Sequence, residues 1–233
     1  MDVLSTTEFW IDLLKIIWIN IILSGDNAVV IALAARSLPP KERKLAILFG
    51  SGAAVVLRIV LTIVAAKLLE MEYLQIIGGV LLLWIGVQLL SENDEEEGES
   101  KEHTTLRSAI FTILVADLIM SLDNVIGVAA AAKGSMLLLT IGLAISIPLI
   151  IFSSNVMMSL MSRFPFIVTL GAALIGWVSG EAIINDRAIH EFISENPILE
   201  YAAPTLCAVF VIALGKFLQK KKNANANLSS ENV

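Results

Sequence analysis

The chain has 233 residues, 57% of them hydrophobic, and a mean hydropathy of +0.82. Soluble domains average about 45–50% apolar residues; here the excess gathers in long runs, which excludes one large soluble core and points to a membrane protein. The net charge of −6 gives no basic footprint for nucleic acid, and the one cysteine, Cys207, excludes an intrachain disulfide or a thiolate metal cluster.

Seven runs are long enough to cross about 30 Å of hydrocarbon: residues 10–34, 46–68, 73–90, 108–132, 135–160, 166–185 and 202–219. The first is too long for a signal peptide and reads as a retained span. Pro39 and Pro40 close it, Lys133-Gly134 divides the fourth from the fifth, Pro165 opens the sixth, and Pro197 and Pro204 flank the start of the seventh. Two breaks are longer. Residues 91–107 carry seven acidic side chains, and 186–201, "DRAIHEFISENPILEY", is mildly amphipathic and is expected at the outer interface. The tail 220–233, "KKKNANANLSSENV", is polar and expected to be disordered.

Lys and Arg set the orientation. With the N-terminus outside, inner loops and tail hold eleven (Arg36, Lys41, Arg43, Lys44, Lys101, Arg107, Arg163, Lys216, Lys220, Lys221, Lys222) and outer loops three (Lys67, Lys133, Arg187). The chain is therefore expected to be multi-pass in a membrane, with its N-terminus outside and its C-terminus on the cytoplasmic side.

The chain also repeats itself. "NIILSGDNAVVIALAAR" at 20–36 matches "DLIMSLDNVIGVAAAAK" at 117–133, and Gly78 and Trp84 recur as Gly171 and Trp177, with Gln88 meeting Glu181. Residues 1–90 thus read as one three-helix repeat and 108–185 as its second copy. The acidic loop 91–107 joins them, and an outer loop and seventh helix follow over 186–219. Three spans per copy force the second to run in the opposite sense. The expected fold is therefore an all-α membrane protein of seven transmembrane helices, a 3+3 inverted repeat plus one C-terminal helix. Substrate sites in such repeats lie near the midplane.

Asp26, Asn27, Asp123 and Asn124 fall near the middle of their spans. An aspartate there costs about 2.5–3.5 kcal/mol on insertion scales, and a cation is the obvious compensation. Two carboxylates and two amides form a hard, all-oxygen donor set suited to Mn²⁺, Ca²⁺ or Mg²⁺, which Ser24 and Ser121 could extend. The competing reading is that each pair only hydrogen-bonds neighbouring helices; its recurrence in both halves favours ion handling. Helical geometry complicates the site. Asn20, Ser24 and Asn27 share one face, as do Asp117, Ser121 and Asn124, while Asp26 and Asp123 point about 100° away from their adjacent amides. One ion can take both side chains of a pair only if the helix opens. Gly25 would permit that; Leu122 stands at the equivalent place.

Asp117 either extends the site or lies near the inner interface. Glu181 is a ligand, a proton carrier or a hydrogen-bonded structural group. Arg58, inside the second span, needs a carboxylate to balance it. Asp12 and Lys15, one turn apart, pair or snorkel. His103 and His190 are isolated. No Ser-His-Asp set, P-loop or dinucleotide fingerprint is present, so no enzyme and no required cofactor are expected. The flanking amides argue against an aspartic-protease dyad. The other open reading is a membrane scaffold or regulator of metal homeostasis or metalloprotein maturation, with no transport of its own.

"SGDNAVVIALAA" and "SLDNVIGVAAAA", set in seven spans, resemble the TerC family of bacterial membrane proteins over about residues 8–219, nearest its compact Bacillus-type branch. That family is similar to the wider LysE-like exporters, with 3+3 inverted repeats. The resemblance implies export of Mn²⁺, with Asp26, Asn27, Asp123 and Asn124 lining the ion site. Expected partners are the bilayer and the divalent cation; the seventh span has a homodimer contact as one available use.

Overall fold

The computed structural model describes residues 7–23, 25–68, 71–92, 105–132 and 135–230, all helices and short connections with no strand among them. The helices are α1 (Thr7–Leu23), α2 (Gly25–Ala35), α3 (Pro40–Leu68), α4 (Leu74–Ser91), α5 (Leu106–Ala132), α6 (Met136–Arg163), α7 (Phe166–Ile184), α8 (His190–Ser194) and α9 (Ile198–Ser230). Among the described residues, five stretches are long and apolar enough to cross a membrane: Pro40–Val64, Leu74–Ser91, Met136–Arg163, Phe166–Ile184 and Ile198–Ala224. They answer to five of the predicted spans. Predicted span 108–132 corresponds to α5, and 10–34 to α1 and α2 in succession, with Ser24 outside the described residues. The acidic stretch 93–104 also lies outside them, and His103 with it.

One expectation fails in a clear way. The tail predicted to be disordered is helical through Ser230. Helix nucleation is the costly step and elongation adds one bond per residue, so the apolar part of α9 supplies a nucleus from which Lys and Ala continue the helix.

The chain divides into two compact units. Unit 1 comprises Met1–Met71 and Thr105–Ser159. In it α3 packs along α5, α2 lies against both, and α1 contacts α5 and α2. Leu61 and Val125 centre one apolar cluster, with Leu57, Leu68 and Leu118 around them. Large apolar side chains such as Trp18, Phe111 and Phe152 are exposed; in a bilayer such surface faces lipid at no cost, because acyl chains are as apolar as the side chains.

Unit 2 comprises Glu72–Thr104 and Leu160–Val233, with α4, α7 and α9 packed on one another around Val87, Leu90, Ala172 and Val211. The α7–α9 contact depends on missing side chains. A Cβ placed on Gly176 would stand 2.7 Å from Ala208 Cα, and one on Gly180 would press on Pro204. Close approach through small residues is how helices gain contact in lipid. Gly176→Leu is expected to destabilise unit 2 by about 1–3 kcal/mol, the usual range for overpacking, read as a lowered Tm in detergent.

Asp186 was placed only in a loop by sequence, yet it is 1% exposed and organises this unit. Its carboxylate accepts the backbone N–H groups of Tyr73 (3.0 Å), Gln75 (2.9 Å), Ile76 (3.1 Å) and Ala188 (2.8 Å). Helix α4 begins after "MEY", which offers no Ser, Thr, Asp or Asn cap, and Tyr73 enters it with φ 67° and no side-chain cap. Its orphan N–H groups and positive dipole end are satisfied from far along the chain. Burial alone would raise the Asp186 carboxyl, but the four N–H donors together hold it below the ordinary carboxylate value. A depressed folded value stabilises the fold above the unfolded value of about 3.9, and this contribution fades as pH falls below it. Asp186→Ala is therefore expected to cost about 1–3 kcal/mol at neutral pH. The Tm gap to the parent should narrow below about pH 4.

Candidate ion site

In the first turn of α2 the Asn27 N–H donates to Asp26 Oδ1 at 2.8 Å. The Asp26 carboxylate thus turns back on the adjacent backbone and stands half-buried. Gly25 has no positive φ and open space where a Cβ would be.

Asn27 is the odd residue. It is 2% exposed, yet neither Oδ1 nor Nδ2 has a hydrogen-bond partner. Buried amides are nearly always bonded, and leaving one unpaired costs roughly 1–3 kcal/mol. Around it α2 is apolar: Ala28 to Ala35 are all buried aliphatic side chains. A helix-to-helix hydrogen bond, the bland role for a membrane asparagine, is not what Asn27 makes.

On α3 and α5, against which α2 packs, lies a buried polar cluster. Arg58, 1% exposed in mid-α3, forms an ion pair with Asp117 Oδ1 on α5 and donates from Nε to Ser121 Oγ at 2.9 Å. Ser121 Oγ donates in turn to Asp117 Oδ2 at 3.2 Å. Asp117 is 6% exposed and Ser121 fully buried. Asp117 and Ser121 are i and i+4, so they share a face of α5, and Asn124, half-buried, follows three residues later on that face. Helix α2, which carries Asp26 and Asn27, packs on both helices that hold this cluster. Both oxygens of Asp117 and the Ser121 hydroxyl are thus already engaged.

The remaining candidates are spread differently. Asp123 and Asn20 lie in α5 and α1, but their side chains, like the whole of Ser24, fall outside the described residues. Glu181 belongs to unit 2, is exposed, and accepts a bond from Trp177 Nε1 at 2.8 Å. Lys15 Nζ pairs with Asp12 Oδ1 at 3.1 Å, as their spacing suggested. No cluster of three or more His, Cys, Asp or Glu occurs among the described residues. The sequence marks Arg58 as needing a carboxylate and Asp117 as a polar residue in another span, but does not pair the two, as the structure does.

The family model for the integral membrane protein TerC family matches residues 5–223. The membrane protein YjbE of Bacillus subtilis is 42% identical over 213 residues, 91% of this chain and 97% of YjbE. YkoY of the same organism is 26% identical over 76% of this chain and 61% of its own length. The inner membrane protein YoaE of Escherichia coli, of the group UPF0053, is 25% identical over 73% of this chain but only 36% of YoaE. No solved structure matches the chain.

Proposed function

The chain belongs to the TerC family of integral membrane proteins, and from that premise we propose that it is a transporter exporting divalent metal cations, Mn²⁺ foremost, by alternating access with proton antiport. The observation that carries this reading is Asn27: a buried amide with both polar atoms unbonded, next to Asp26. An unbonded buried acceptor beside a carboxylate is what an oxygen-ligand cation site needs before its ion arrives. The recurrence of the pair as Asp123-Asn124 on α5, against which α2 packs, supplies the second half.

Moving a divalent ion outward against about 100 mV, inside negative, costs about 4.6 kcal/mol. Inward-moving protons provide the opposing free energy. The test is Mn²⁺ flux in proteoliposomes with an imposed pH gradient. Flux should follow the gradient, acidify or alkalinise the lumen accordingly, and vanish in the Asp26→Asn/Asp123→Asn double variant. Flux indifferent to the gradient, without a lumenal pH change, removes proton coupling. No flux from the parent leaves a membrane protein that acts through partners.

A further inference from the structure

Given that transport reading, we propose that Arg58 fixes the net charge of the ion site, and with it the preference for a divalent cation over a trivalent one. Arg58 is buried against Asp117 and Ser121, and α2, which carries Asp26, packs on both helices that hold this cluster. Asp117 accepts a hydrogen bond at each oxygen, so what it offers an ion nearby is chiefly charge. The guanidinium keeps its proton at any accessible pH. Its charge is therefore constant through a transport cycle, unlike that of any carboxylate.

The formal charges in the predicted spans of unit 1 are few. Asp12 and Lys15 pair with each other, and Lys67 stands at the end of its span. What remains is Asp26, Asp117 and Asp123 against Arg58, a net charge of −2. A divalent cation neutralises that sum. Without Arg58 the same carboxylates would match a trivalent ion; without Asp117 they would be one charge short for Mn²⁺.

Two single substitutions that break the same ion pair therefore shift selectivity in opposite directions. The experiment uses the full chain in detergent, with bound Mn²⁺ followed by electron paramagnetic resonance and displaced by La³⁺. Arg58→Gln should favour La³⁺ over Mn²⁺ by roughly ten- to a hundredfold, the effect of one unit charge at helix-packing distance and an effective dielectric of about 20. Asp117→Asn should shift the ratio the other way. Arg58→Lys and the Arg58→Gln/Asp117→Asn double variant, both of parental net charge, should keep the parental ratio. If the single variants do not fold, the double variant decides, because its charge is parental while its ion pair is gone. Singles that move the ratio in the same direction, or a double variant that departs from the parental ratio, overturn the role of Arg58 and leave the transport reading standing. A parent that binds no Mn²⁺ overturns both.

Discussion

Asn27→Leu is expected to make the protein more stable and to abolish Mn²⁺ binding. The two effects arise from one fact, a side chain 2% exposed with both polar atoms unbonded. Leucine has a similar size, adds apolar burial among Ala28 to Ala35, and removes a desolvated amide. Replacing an unsatisfied buried polar group with an apolar one should gain about 1–2 kcal/mol. The backbone bond from Asn27 N–H to Asp26 does not involve the side chain and should survive. Thermal unfolding in detergent without metal reads the stability, and Mn²⁺ titration reads the binding. Were the amide there only to hold helices together, the substitution would lower the Tm. A residue that destabilises its own fold is a common mark of a functional position, because stability and activity place opposing demands on such sites.

Arg58→Met is expected to be the most destabilising single change, by about 3–5 kcal/mol. It removes one member of a buried pair and leaves Asp117, 6% exposed, with Ser121 as its remaining partner in the cluster. The Arg58→Met/Asp117→Leu double variant should recover most of the loss, since a buried ion pair and a packed apolar pair of similar volume are often close in stability. The check is a double-mutant cycle on Tm. Near-additive losses would mean that the pair is not coupled and that Arg58 is held by other contacts. Taken with Asn27, this separates two kinds of polar residue in unit 1: the Arg58 cluster is satisfied within the protein, whereas Asn27 is not.

Much of the architecture was legible because lipid imposes simple rules. Hydrophobic length marks a span, so residues 73–90 and 166–185 were placed within a residue of α4 and α7. The duplicated Ser-x-Asp-Asn drew attention to Asp26 and Asn27 without any coordinates. What sequence could not supply was the partner of each polar group. Arg58 lies 59 residues from Asp117 and Asp186 lies 113 from Tyr73, and no local pattern connects such pairs. The missing cap before Leu74 did signal a need, but not which residue meets it. Helical periodicity set Asp26 and Asn27 at about 100° to each other; it could not reveal that the Asn27 N–H holds the Asp26 carboxylate back against the backbone. The C-terminal tail misled because its composition resembles disordered chains, while its helicity is inherited from the apolar segment before it.

The central claim is that Asp26 and Asn27 hold the transported cation. A structure of the full chain with Mn²⁺ bound tests it most directly. The expected result is an ion with oxygens of Asp26 and Asn27 among its ligands, at about 2.0–2.6 Å, the range for hard divalent cations. Mn²⁺ bound only elsewhere, with the Asn27 amide hydrogen-bonded to protein, would contradict it.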